Sequence, residues 1–324
     1  MYNPEALAAA FNEAGLNRNA ALAESVRRKE KLAELCPEAA EIARQLSAIG
    51  ASVAKTFYSD NPQEDIKALA EKSLALQKKR KALLAAAGLP EDYLKPPYKC
   101  PLCEDTGRTD GKICECIKKS AVKFALKDIA KIAPIDKCTF ENFNLDFYKN
   151  ITDKNGKSVY DKSKNIFEYM KAYSEDFTPR SKSLYIFGKT GLGKTHLTLA
   201  AVKTIVEKGY YVLYGSASAI LSSLEEEKFK QADGKYTLKK IANADLVVID
   251  DLGSEFSTSF TAAAVHNIIE SRLLASKPVI ITTNLDINGI NSLYGERICS
   301  RIIGEYEPIL FEGQDIRQLK KFQY

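Results

Sequence analysis

"GKTGLGKT", residues 188–195, decides the fold. It satisfies G-x-x-x-x-G-K-S/T at every fixed position. Its setting also suits the motif: 183–187, "SLYIF", reads as a strand before it and 194–208 as a helix after it. Glycines let the backbone wrap a polyphosphate with its N–H groups pointing inward at a helix N-terminus. Lys194 is placed to reach the β- and γ-phosphates, and the Thr195 hydroxyl to face Mg²⁺. An ordinary glycine-rich turn would lack this strand–loop–helix setting. The segment is therefore expected to bind a nucleoside triphosphate, with Gly188, Lys189, Thr190, Gly191, Leu192, Gly193, Lys194, Thr195 and His196 around the phosphates.

Working outward, "LVVIDD" (246–251) is a buried strand ending in two carboxylates. The first, Asp250, can hold Mg²⁺ through water, and Asp251 is placed to polarise an attacking water. "PVIITTN" (278–284) ends another apolar strand on Asn284, whose amide could orient that water or, alternatively, only cap the next helix. With "YYVLYGS" (210–216), these near-continuous apolar runs are the signature of strands buried on both faces of a parallel sheet. Residues 161–324 are read as an α/β P-loop NTPase domain. Phosphoryl transfer needs positive charge around the γ-phosphate, so three late arginines are candidates. Arg297 and Arg301 lie four apart in "GERICSRIIGEY", and Arg317 lies in "EGQDIRQ". Surface arginines are otherwise solvated charges or salt-bridge partners. His196 and His266 have no Ser or Cys partner at a suggestive spacing, which argues against catalysis by either.

Upstream, residues 1–95 are rich in Ala, Leu, Lys and Glu and read as a helical arm. Pro37 opens a helix in which Ile42, Leu46, Ile49 and Val53 recur at helical spacing; "SDNPQED" (59–65) breaks it, and a second helix runs from Pro62 to Ala87. Residues 96–137 hold four of the chain's seven cysteines, Cys100, Cys103, Cys114 and Cys116. Asp110-Gly111 between the pairs is a type I′ turn signal, and a hairpin on it would gather all four thiols. A closed Cys₄ set favours structural Zn²⁺ and leaves no open position for hydrolytic chemistry, with iron–sulfur, redox or free thiols as the alternatives. Cys36, Cys138 and Cys299 are read as small buried residues. Next, Lys119, Lys123, Lys127 and Lys131 share one helix face, opposite Val122, Leu126, Ile129 and Ala133. That face is either solvated or phosphate-contacting. Residues 138–160 link to the α/β domain.

A formal charge of +5 is too mild to imply a polyanion partner by itself. The N-terminus "MYNPEALAAAFNEAG" has no basic segment followed by an apolar run, and eighteen consecutive apolar residues occur nowhere. No membrane association and a cytoplasmic location are expected, a setting in which clustered cysteines bind metal more often than they form disulfides.

From about residue 138 to 324, the succession "TFENFNLDFY", "GKTGLGKTHL", "LVVIDDLGSE", "VIITTNL", "GERICSRI" and "FEGQDIR" resembles the AAA+ ATPases of the DnaC/DnaI-type helicase loaders, with IstB-type transposition helpers as relatives. The resemblance implies Lys194 and Thr195 as Walker A residues, Asp250 as Walker B and Asn284 as sensor 1. It implies Arg301 as an arginine finger toward a neighbouring subunit, Arg317 as sensor 2 in cis, and Phe140 and Phe143 beside the adenine. Asp251 stands where AAA+ proteins commonly carry Glu, so slow hydrolysis is expected, with Glu255 a second candidate to position water. The cofactors implied are ATP and Mg²⁺, with Zn²⁺ at the cysteines. The partners implied are a DnaB-type replicative helicase, single-stranded DNA and, on ATP binding, further copies of the chain. A zinc-bearing N-terminal module also occurs on the DnaI side of the family, whereas transposition helpers usually lack one. The alternatives are such a helper delivering target DNA, or an ATP-binding zinc adaptor that does not hydrolyse.

Overall fold

The apolar runs of the second half become five parallel strands, since a strand covered on both faces has no polar side to alternate with. The computed structural model describes residues 2–56, 61–229, 236–256 and 258–321. The chain forms two compact units, Met1–Ala10 with Lys118–Tyr324, and Phe11–Ile117.

The elements of the smaller unit come first along the chain. They are α1 (Pro4–Leu35, from its third turn on), α2 (Pro37–Thr56), α3 (Pro62–Ala86), the strands β1 (Arg108–Thr109) and β2 (Lys112–Ile113), and the first residues of α4 (Glu115–Ala130). Pro37 and Pro62 each open a helix, where a missing N–H costs nothing. Residues 59 and 60 of the expected break lie outside the described residues. The stripe expected along α2 fades from one end to the other: Ile42 is buried, Leu46 and Ile49 are half-buried, and Val53 is exposed. The core here is small, Leu32, Ala39, Ala40 and Leu84, flanked by Tyr93 and Leu94.

In the larger unit, α4 presents Lys119, Lys123 and Lys127 to solvent, and Lys131 is exposed just past its end. Its other face buries Ala125 and Ile129 in the core, with Val122 and Leu126 packed against it. Then follow α5 (Val159–Glu175), β3 (Ser183–Gly188), α6 (Lys194–Glu207), β4 (Val212–Ser216), α7 (Ala217–Phe229), α8 (Tyr236–Asn243) and β5 (Leu246–Leu252). The rest is α9 (Ser259–Leu274), β6 (Val279–Thr283), α10 (Ile287–Tyr294), α11 (Glu296–Glu305), β7 (Tyr306–Phe311) and α12 (Ile316–Lys321). The strands lie in the order β4-β5-β6-β3-β7, all parallel. Side chains alternate between two cores: Leu184, Ile186, Leu246, Val248 and Ile280 enter one, and Tyr185, Val247, Ile249, Val279 and Ile281 the other. Among the described residues no helix is long and apolar enough to cross a membrane.

Residues at the N-terminus belong to this unit too. Asn3 Oδ1 accepts from the backbone N–H groups of Glu5 and Ala6, capping α1, and Glu5 pairs with Lys240 of α8 at 3.0 Å.

Arg272 of α9 is 1% exposed. Nη1 donates to the carbonyls of Ile241 (2.9 Å) and Ala244 (2.7 Å), and Nη2 to those of Asp245 (3.1 Å) and Pro278 (2.9 Å). One guanidinium thus ties the end of α8 to the starts of β5 and β6, the strands that carry the functional side chains at their other ends. Burial brings its pKa down to about 10, which leaves it charged at neutral pH. Arg272→Met should cost about 3 kcal/mol, because four buried carbonyls lose their donor while only one charge is relieved of burial. A urea melt of the full chain measures this.

Candidate functional site

Strand β3 runs into the glycine loop and α6 leaves it, so the loop is held at both ends by core elements. Gly191 and Gly193 have φ of +79° and +86°. A Cβ at Gly191 would lie 1.9 Å from the Asp315 carboxylate, and one at Gly193 would lie 2.9 Å from both Phe143 and the Tyr148 hydroxyl. Only glycine fits there, in backbone conformation and in space alike. Two bonds brace the loop from outside: the buried Tyr148 hydroxyl donates to Leu192 O at 2.7 Å, and Ile316 N donates to Gly191 O at 3.0 Å.

Lys194 is 7% exposed, and its ammonium donates to Gly188 O (2.7 Å), Lys189 O (2.8 Å) and Asn284 Oδ1 (2.8 Å). Burial lowers its pKa to about 8, against the opposing pull of Asp251 and Asp250. Asn284 in turn donates Nδ2–H to Asp251 Oδ1 at 2.9 Å. Lysine, amide and carboxylate form one chain.

Consecutive residues on a regular strand point to opposite faces, so Asp250 and Asp251 could not share a site on an unbroken β5. The strand solves this with a register shift between Ile249 and Leu252, where Asp251 takes φ +57°. Asp tolerates the left-handed region better than most residues. Asp251 N–H then donates to Thr282 Oγ1 at 2.9 Å, and both carboxylates line one cavity. Asp250 accepts from Thr195 Oγ1 (3.1 Å to Oδ1), Thr282 Oγ1 (2.6 Å to Oδ1) and the Tyr214 hydroxyl (2.8 Å to Oδ2). Burial and the neighbouring Asp250 push the Tyr214 phenol far up, so it stays a donor.

The cavity measures about 470 Å³, within the usual range for a small-molecule site. Pro134, Cys138, Phe143 and Phe147 line its apolar part, and Lys194, Thr195, Asp250, Asp251, Asn284 and Arg317 its polar part. A hydroxyl whose proton goes to Asp250 has its lone pairs free for a metal. With the adjacent carboxylate, this oxygen set suits Mg²⁺. His196 lines the cavity and is near Thr139 O, at 3.0 Å from Nε2.

Other expected residues lie elsewhere. Arg301 is outside this cavity: its Nε and Nη2 each lie 3.2 Å from the Glu270 carboxylate, in a half-exposed ion pair. Arg297 is exposed on the same helix. Glu255 also lies outside the cavity, held by the Gly253 N–H at 3.0 Å and by the Tyr294 hydroxyl. The structure brings Phe143 but not Phe140 to the cavity. Phe140 is 9% exposed and packs edge-on against Phe167 in the core. Of the three cysteines read as buried, Cys138 is, whereas Cys36 and Cys299 are half-buried. Tyr214, Thr282 and Tyr148 had no signal in the sequence, since each sits in an apolar or aromatic run and reads as core.

In the smaller unit, β1 and β2 pair antiparallel across Asp110 (φ +50°) and Gly111 (φ +75°), the two positive-φ positions of a type I′ turn. The Sγ atoms of Cys100, Cys103, Cys114 and Cys116 all lie within 4.8 Å of one another. Cys100–Cys114 is 3.9 Å and Cys103–Cys116 is 3.6 Å. A zinc–thiolate tetrahedron with bonds of about 2.3 Å has edges of about 3.8 Å, so the donor set fits Zn²⁺. Buried Asp105 braces the first pair, accepting from the N–H groups of Lys99 (2.9 Å) and Cys100 (2.8 Å). The Cys116 N–H brings the Cys114 thiol down to about 6, whereas burial raises Cys116.

A model of the family described as IstB-like ATP binding protein matches residues 145–305. The chain is 25% identical over 179 residues to the replicative helicase loader DnaC of Buchnera aphidicola subsp. Acyrthosiphon pisum, covering 54% of this chain and 73% of that protein. It is 24% identical over 182 residues to the replicative helicase loader DnaC of Escherichia coli K12, covering 56% and 69%. Among solved structures it is similar to the DnaC helicase loader (TM-score 0.48, 24% identity, 55% of this chain and 99% of that one). It is also similar to DnaI (TM-score 0.45, 20% identity, 56% and 92%).

Proposed function

We propose, for a chain whose residues 145–305 match the model of the IstB-like ATP-binding family, that it is a cytoplasmic AAA+ ATPase that loads a DnaB-type replicative helicase onto single-stranded DNA. ATP binding is the assembly switch and hydrolysis is slow. The observation that carries the ATPase reading is the convergence of Lys194, Asn284, Asp251, Thr195 and Asp250 on one cavity of nucleotide size. The curated relatives named as replicative helicase loaders support the biological role.

Phosphoryl transfer asks a protein mainly for positioning and charge stabilisation. Lys194 exchanges its backbone carbonyl partners for β- and γ-phosphate oxygens. Asn284, released from Lys194, holds Asp251, and Asp251 orients a water toward the γ-phosphate. Asp251 is the better candidate for that role than Glu255, which is committed to Gly253 and Tyr294. Thr195 and Asp250 would hold Mg²⁺, which when bound neutralises charge on the β- and γ-oxygens. Arg317 stands at the same cavity as a γ-phosphate contact in cis. Arg301 lies at the surface, as a finger for a neighbouring copy's nucleotide must. The exposed lysines of α4 offer phosphate contacts to DNA.

The test mixes the full chain, a DnaB-type helicase hexamer and circular single-stranded DNA with ATP or ADP. Helicase should be transferred to the circle, and only with ATP. Preference for duplex DNA with no helicase association would overturn the loader reading in favour of a transposition helper. Binding of ATP without any turnover would favour the adaptor.

A further inference from the structure

The carboxylate that would hold Mg²⁺ is fixed from three directions. Thr195 approaches from α6, Thr282 from β6 and Tyr214 from β4, each through a hydroxyl. Their geometry divides the work between the two carboxylate oxygens. Oδ1 takes the short bond from Thr282, 2.6 Å, and the nearer of the two contacts from Thr195, 3.1 Å. Oδ2 takes Tyr214 at 2.8 Å, with Thr195 farther off at 3.3 Å. Thr195 and Thr282 both line the nucleotide cavity, whereas Tyr214 does not. Tyr214 is 7% exposed and packs in the core that also holds Cys138 and Leu192, and its hydroxyl reaches the site through Asp250.

We infer that Tyr214 is a positioning residue for Asp250, fixing the rotation of the metal-facing carboxylate from outside the cavity lining. A carboxylate bonded at one oxygen alone can swing about its Cβ–Cγ bond. One bonded at both, by side chains rooted in different strands, cannot. Asp250 itself is 8% exposed, so bulk water cannot easily replace a lost donor. Thr195 gives up none of its bond to Asp250 on meeting a metal, because its lone pairs and its proton point different ways. The hydroxyl of Tyr214 therefore sets the direction in which the whole Thr195–Asp250 pair faces. Strand β4 is the edge of the sheet, and Ser216 on it is in register with Asp250. The orientation of the metal-facing carboxylate is thus tied to the placement of an edge strand.

This inference rests on the ATP·Mg²⁺ reading of the site, and the experiment separates the two. Nucleotide binding to the full chain is titrated in magnesium-free buffer without a chelator, which would also strip the cysteine site, and again across a Mg²⁺ series. Wild type and Tyr214→Phe are compared, a change that removes one oxygen and keeps the ring. The Mg²⁺ concentration giving half-maximal ATP binding should rise about tenfold, the usual penalty for losing an outer-shell partner. Metal-free ATP affinity should stay within about twofold, and turnover at saturating ATP should fall with KM little changed. An unchanged Mg²⁺ requirement overturns the inference. A matching loss of metal-free binding and melting temperature also overturns it, since that is the mark of a merely structural tyrosine. If wild type binds no nucleotide under any condition, the reading of the site fails, and the inference with it.

Discussion

Lys194→Ala should lower ATP affinity by roughly 10²–10⁴-fold and abolish turnover. The ammonium makes three hydrogen bonds, to Gly188 O, Lys189 O and Asn284 Oδ1, and phosphate oxygens can take the place of these neutral acceptors. A hydrogen bond to a charged group contributes about 1.5–3 kcal/mol. Losing two such bonds to phosphate is about 3–6 kcal/mol, which converts to that range. Stability should move far less, since the lysine's own burial is a cost: desolvation depresses its pKa to about 8. That depression also predicts a pH dependence. The groups facing the ammonium are Asp251 and Asp250, which favour its charge, and Arg317, which opposes it. A bound polyphosphate strengthens the favourable side, so the complex holds the proton more tightly than the free protein does. Affinity should therefore fall as pH rises past about 8 in wild type and lose that limb in Lys194→Ala. Titration calorimetry at pH 7 and pH 9 measures both effects. Equal ATP affinity in the two proteins would remove the glycine loop from the account.

The parts of the site that could be read in the sequence are those whose chemistry forces a local pattern. A loop that wraps phosphate needs glycines at fixed spacing, and Gly191 and Gly193 sit where no Cβ would fit. Strands covered on both faces need unbroken apolar runs, and β3, β5 and β6 have them. What could not be read depends on tertiary proximity. Tyr214 and Asp250 are 36 residues apart and meet only because β4 and β5 pair in one particular register. Phe140 and Phe143, three residues apart in one aromatic segment, go to the core and to the cavity respectively, although both touch Phe167 and only Phe143 also stacks on Tyr148. Nothing local in the sequence around Arg272 marks the four carbonyls it meets. The register shift that lets Asp250 and Asp251 share a cavity has no signal beyond the Asp pair itself.

Removing metal from the cysteine cluster should unfold the region around it while leaving nucleotide binding intact. The hairpin that joins the two cysteine pairs has strands of only two residues each, and a lone two-stranded hairpin is marginal in water even when longer. The local core is correspondingly thin: Gly107 packs against the Phe11 ring and Ile117 with no room for a side chain, and Leu102, between the first two cysteines, is 74% exposed. Cysteines held 3.6–3.9 Å apart in pairs can all be thiolates only with a cation between them, since burial favours the protonated thiol at Cys103 and Cys116. A structural Zn²⁺ contributes on the order of 10–16 kcal/mol at neutral pH, far more than these contacts can supply. Elemental analysis should find one zinc per chain. Chelation, or Cys103→Ser with Cys114→Ser, should abolish amide-exchange protection across 99–117. ATP affinity should stay unchanged, because the glycine loop and both carboxylates belong to the other compact unit. Iron with visible absorbance would instead support the iron–sulfur alternative. Full protection of 99–117 after complete metal removal would mean that Asp105 and the hairpin bonds suffice, and the cluster would then be free thiols.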